Sequence, residues 1–124
     1  MKILFTTLLL MTATVFAETK AQKNYSENVR FTIRSHFNEV KDCYDKNLKE
    51  NPNEEGKIDV HFVLNDQGKV EESKINEQAS TLKSPAVRTC VTELFKTWRF
   101  PRPAPGTVVE VDFPFILEKP KTTK

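Results

Sequence analysis

The spacing of hydrophobic positions divides the chain into four patterned stretches behind an apolar start. Val29, Ile33, Phe37, Val40, Tyr44 and Leu48 recur three or four residues apart, which predicts one long amphipathic helix from about Ser26. Asn24 or Ser26 supplies its N-cap and Glu27 an acid in the first turn. Asn51-Pro52-Asn53 ends it, since proline cannot continue a helix and disfavours helix at the residue before it. The period then changes to two. Ile58, Val60, Phe62 and Leu64 share one face, and Lys57, Asp59 and His61 share the other. Asn65 to Gly68 reads as a hairpin loop with the glycine in the left-handed position. A second, polar strand follows over about Lys69 to Asn76, with Val70 and Ile75 as its apolar content, and its polarity suits an edge.

Ser84-Pro85 starts a second helix, with serine as N-cap and proline at the first helical position. Its apolar stripe is Val87, Val91, Leu94 and Trp98, and it stops before Pro101. Beyond a turn-rich link, Pro101 to Gly106, the residues Val109, Val111, Phe113, Phe115 and Leu117 alternate strictly. That is the longest strand signal in the chain. The order αββαβ, with two amphipathic helices to cover one apolar sheet face, predicts an α+β two-layer sandwich. If the three strands are antiparallel, the third lies beside the first, giving order 2-1-3 with the second helix as a split crossover.

The opening residues change how the composition is read. Met1-Lys2 is a short positive start, Ile3 to Phe16 is largely apolar, and Val15-Phe16-Ala17 fits cleavage after Ala17. We therefore expect a signal peptide over 1–17, a disordered lead-in over 18–25, a domain over 26–117 and a flexible tail over 118–124. An uncleaved anchor helix is the other reading, although the run is shorter than a bilayer span and Glu18-Thr19-Lys20 follows at once. Cleavage leaves about 107 residues, enough for one modest core. With 19 basic against 17 acidic residues, the chain lacks the basic excess that nucleic-acid binding requires. The same balance argues against electrostatic capture as the way the chain finds a partner.

The two cysteines are the first chemical candidates. On a helical wheel, Cys43 and Cys90 lie at matching flanks of their stripes, so antiparallel helices on one sheet turn them toward each other. In an oxidising compartment such a pair forms a disulfide. Two separate buried thiols, or a redox-active pair, are the alternatives, and the spacing is not Cys-x-x-Cys. His36 and His61 could join the cysteines as metal ligands or supply a base, yet neither sits in a recognisable motif. Glu54-Glu55 and Glu71-Glu72 read as solvated surface. Trp98-Arg99-Phe100-Pro101 reads as an anchor for the crossover, with an aromatic ligand box as its other use. The last strand, an edge in order 2-1-3, is the interaction candidate. Pro114 suits an edge, and Val108 and Ile116 add apolar surface to the outer face.

A longer set of residues carries a resemblance. Cys43-Tyr44, Asn51-Pro52, Gly56 to Leu64 and Gly68-Lys69-Val70 resemble the AgmX/PglI C-terminal family, a TonB C-terminal-like group. So do Ser80-Thr81-Leu82, Val87, Cys90-Val91, Trp98 to Pro101, Pro103, Gly106, Val111 and Pro114-Phe115. The resemblance covers roughly residues 29–117. It implies a periplasm-facing αββαβ domain without catalytic residues. TonB itself pairs its final strand with a peptide segment of an outer-membrane transporter, and the carry-over falls on Thr107–Leu117 as a surface. Relatives carry this domain after a membrane helix and a flexible linker. This chain shows no Pro-rich spacer, which favours a free adaptor or envelope-complex subunit over an energy transducer.

The expectation is thus a non-enzymatic periplasmic interaction module without cofactor or metal. Its partner is an envelope protein or peptide added at the edge presented by Val108, Glu110, Asp112, Pro114 and Ile116. The alternatives are a thiol-dependent redox protein or small enzyme using Cys43 and Cys90, and a homodimer paired through the same edge.

Overall fold

The structure is a computed structural model that describes residues 20–119. The expected signal segment and most of the expected tail lie outside the described residues. The elements are helix α1 (Lys20–Ser35), helix α2 (Phe37–Leu48), strand β1 (Gly56–Leu64), strand β2 (Val70–Ile75), a short 3-10 turn (Glu77–Ala79), helix α3 (Pro85–Thr97) and strand β3 (Val109–Leu117). The three strands form one antiparallel sheet in the order β2-β1-β3. This is the expected α+β sandwich, with β1 at its centre.

The expected first helix is broken in two, and its onset is earlier. Residues 20–25, placed in the lead-in, are the first turns of α1. At His36 the chain leaves helical geometry. Two hydroxyls feed back onto the backbone just before the break: Thr32 donates to the Asn28 carbonyl and Ser35 to the Thr32 carbonyl. Such bonds compete with the helix ladder and bend it. The His36 ring then stacks on Trp98, with centroids 4.6 Å apart. Beyond the break Val40 and Tyr44 keep their expected places in the core. Phe37, expected in the core, is instead 38% exposed and stacks against Phe115 with ring centroids 6.3 Å apart.

The core lies between the sheet and the helices. Ile58, Val60, Phe62 and Leu64 from β1 meet Val29 and Ile33 of α1, Val40 and Tyr44 of α2, and Val87, Val91 and Phe95 of α3. Phe95 takes the core position expected for Leu94, packing its ring 4.9 Å from Phe62 and 4.4 Å from Trp98. Leu94 is only partly buried. Burying a side chain of this size contributes roughly 1.5–3 kcal/mol, so this aromatic cluster is a main stabilising unit. Leu82, in the link before α3, is also fully buried.

Local chemistry sets the turns. Asn65 accepts the Gln67 and Lys69 amides through its side chain, and its carbonyl accepts the Gly68 amide. Gly68 has φ +76°, and a Cβ there would sit 2.1 Å from the Phe100 carbonyl oxygen, so the hairpin requires glycine. At the start of α3, Ser84 caps the Val87 amide as expected. The Glu54 carboxylate accepts the Lys83 and Ser84 amides as well.

Candidate functional site

Cys43 of α2 and Cys90 of α3 form a disulfide, with Cα atoms 5.9 Å apart. Cys43 is buried and Cys90 half-exposed. The other sequence candidates are dispersed. His36 pairs with Glu39 beside Trp98, and His61 bonds Asp112 across the outer sheet face at 2.9 Å. Trp98 and Phe100 are buried in the aromatic cluster.

The β3 edge is where the interaction candidates come together. β3 pairs with β1 through a continuous register from Gly56 opposite Leu117 to Leu64 opposite Val109. The direction of its backbone groups follows from β1. Lys57 donates its amide to the Thr81 hydroxyl, and its carbonyl accepts the Thr81 and Leu82 amides. Asp59 donates its amide to the Ser80 hydroxyl, and its carbonyl accepts the Asn76 amide. Both residues therefore point their backbone away from β3. Bonding direction alternates along a strand, so Ile58, Val60, Phe62 and Leu64 are the residues that bond β3. Their partners Phe115, Phe113, Val111 and Val109 face inward. The N–H and C=O groups of Glu110, Asp112 and Ile116, with the C=O of Pro114, consequently point to the open edge.

Pro114 occupies an outward-bonding position, the one parity at which a missing N–H costs the sheet no bond. Val108 lies one residue before the strand. It and Ile116 are 62% and 57% exposed.

A groove of about 460 Å³ runs along this edge. One wall is α1, with Tyr25, Ser26, Val29 and Arg30, and the other is the unbroken stretch Val109 to Pro114. Alternate strand side chains point to opposite faces, so a surface touching six consecutive residues follows the edge itself. On the core side, Val109, Val111 and Phe113 are only half-buried, because α1 leaves them uncovered at the groove. A second hollow of about 760 Å³ continues past Tyr25 and Val109 toward Pro101, Pro103 and Ala104. Tyr25 holds the α1 wall by donating its hydroxyl to the Pro101 carbonyl at 3.2 Å. Burial raises its phenol pKa above the ordinary 10.0.

The alternation of β3 identified the outward residues. Alternation does not show the α1 wall: Ser26, Val29 and Arg30 fall within the expected helix, but only the fold sets that helix beside β3, and Tyr25 lies in the expected lead-in. No family model, curated protein or solved structure matches the chain.

Proposed function

We propose that this chain is a non-enzymatic interaction module of the cell envelope, acting in the periplasm, that binds an extended segment by strand addition to β3. The observation that carries this reading is the run of outward backbone donors and acceptors at Glu110 and Asp112, lying along a groove walled by α1. An incoming strand satisfies those groups with main-chain hydrogen bonds and sends alternate side chains into the groove beside Val111 and Phe113. The resemblance to the AgmX/PglI C-terminal family points to the same strand. The apolar start and the Cys43–Cys90 disulfide are compatible with export to an oxidising compartment. The competing redox reading draws on the partial exposure of Cys90. It predicts that blocking both thiols after reduction abolishes function, whereas strand addition requires only that the fold survive.

The test is a proline placed where it removes an outward N–H and no ladder bond. Glu110→Pro meets that condition, and β3 already tolerates proline at the same parity. We expect the variant to keep its circular dichroism and its Tm within a few degrees, yet to lose photo-crosslinking to envelope partners from a probe at Val108. Undiminished crosslinking by the folded variant would overturn the reading.

A further inference from the structure

Strand addition at β3 leaves open what kind of segment enters, and the charges along the edge bear on that. The outer face of β3 reads Val108, Glu110, Asp112, Pro114, Ile116: apolar residues at the ends and two acids in the middle. Glu110 has no hydrogen-bond or ion-pair partner among the described residues. Asp112 accepts from His61 on its β1 side, and its carboxylate remains largely exposed. Asp59, opposite Pro114, is a buried acid with one oxygen that has no partner. Two lysines lie behind this row on the same face. Lys74 lies on β2 and pairs with Glu72, and Lys57 is opposite Ile116. The near-balance of the whole chain thus conceals a local acidic strip at the open edge.

The groove side has the opposite character. There an incoming strand meets Tyr25, Val29, Val109, Val111 and Phe113, with Arg30 on the helix wall. A lysine directed inward would be placed against apolar carbon and beside a like charge.

Resting on the strand-addition reading, we infer that the partner is an extended segment alternating apolar residues toward the groove with lysine or arginine toward the outer face, opposite Glu110 and Asp112. The same two acids oppose self-pairing. An antiparallel β3–β3 contact centred on Glu110, Val111 or Asp112 sets acid directly opposite acid, which is destabilising. Registers centred further along place Pro114, without an N–H, opposite Asp112 or opposite itself. These registers therefore disfavour a second copy, whereas a basic strand meets the same acids favourably.

Three eight-residue peptides of equal length test this: one alternating valine and lysine, one alternating valine and glutamate, and one with the lysines and valines in separate blocks. Binding is measured by amide chemical shifts and fluorescence at moderate salt. We expect the alternating basic peptide to bind about tenfold more tightly than the acidic one, the worth of two opposite-charge cross-strand pairs. It should shift Glu110, Asp112 and α1 amides. Glu110→Gln with Asp112→Asn should erase that preference while leaving the fold intact, and should raise self-association in light scattering.

The outcomes separate the two readings. If acidic and basic alternating peptides bind equally and Glu110→Pro blocks both, strand addition stands and the charge inference is overturned. If the block peptide binds as well as the alternating one, and Glu110→Pro changes neither, both are overturned. A wild-type dimer abolished by Glu110→Pro would also overturn the inference.

Discussion

The sheet has two edges, β2 on one side of β1 and β3 on the other, and they differ in nearly every property that governs pairing with another chain. β2 is six residues long, rich in charge, and slips register against β1 between Val63 and Leu64, where Glu71 is the extra residue. Short length, charge and a bulge are the means by which edges are protected. Where β2 ends, Ser80 and Thr81 take over the bonding of Asp59 and Lys57, so that side of β1 has no open run. α3 packs over β2 and is tied by Cys43–Cys90 to α2. β3 is nine residues long, pairs without a slip, and is β-branched and aromatic on its inner face. α1, the helix across the groove from it, buries only Val29 and Ile33 deeply and is held by no disulfide. A domain of this size can hold one side rigid and leave the other available. Here the staple and the shielded edge fall together, and the open edge lies beside the looser helix.

The largest expected effect lies on the stapled side. In the chain-entropy model, a disulfide between residues 47 apart in sequence is worth about 4 kcal/mol. Replacing both cysteines, as Cys43→Ser with Cys90→Ser, should lower the urea-unfolding free energy by about 2–5 kcal/mol. Hydrogen exchange sharpens the comparison. Amides of α2 and α3 should speed up strongly in the variant, whereas those of α1 should already exchange quickly in the native protein. Exchange in native α1 as slow as in α3 would remove the contrast between the two sides.

The chain has two tyrosines, one on each side, and they report the two regions separately. Tyr44 of α2 is buried, and its hydroxyl donates to the Glu54 carbonyl. Burial raises its pKa above 10.0, reinforced by the carboxylates of Glu55, Glu54, Asp45 and Glu118. Tyr25 is raised by burial alone. In both cases the folded state holds the phenol proton more tightly than the unfolded state. The stabilising contribution is therefore complete below pH 10 and is lost as pH rises through the folded-state value. Phenolate absorbance should show Tyr44 ionising together with loss of the Trp98 tertiary signal. Tyr25 should ionise as α1 lifts, before that signal is lost. Tyr25→Phe should remove the early phase only. A single coincident phase from both rings would mean that α1 is no looser than the rest.

Much of this asymmetry was legible in the residues, and the parts that were not have specific causes. Strict alternation gave β1 and β3, and Ser84-Pro85 gave the start of α3, because a strand face and an N-cap are local features. The cysteine pairing followed from helix flanks once the strand order was set. The break at His36 depends on stacking against Trp98, a residue far along the chain, so helical spacing continued through it. Leu94 and Phe95 are adjacent and both apolar, and it is the rings of Phe62, Trp98 and Phe115, brought together by the fold, that select Phe95 for the core. The outer residues of β3 could be listed from alternation alone, but not that their backbone groups point away from β1. Pro114 carried that information, because proline fits only the parity that gives β1 no bond.

The smallest expected effect on stability, and the one most specific to the open edge, comes from Pro114 itself. Pro114→Val restores an outward N–H between Asp112 and Ile116 without touching the β1 ladder. Loss of proline frees the unfolded chain at a cost of about 0.4–1 kcal/mol, while valine suits a strand better, so the two changes largely cancel. The Tm should move by no more than a few degrees. Association should respond more, since the edge then offers an unbroken series of donors and acceptors from Glu110 to Ile116. The alternating basic peptide should bind more tightly, and light scattering should detect some self-association at high concentration, limited by the acid-on-acid registers at Glu110 and Asp112. If Pro114→Val instead lowers stability by several kcal/mol, position 114 bonds toward β1. The parity assigned to this edge would then be reversed.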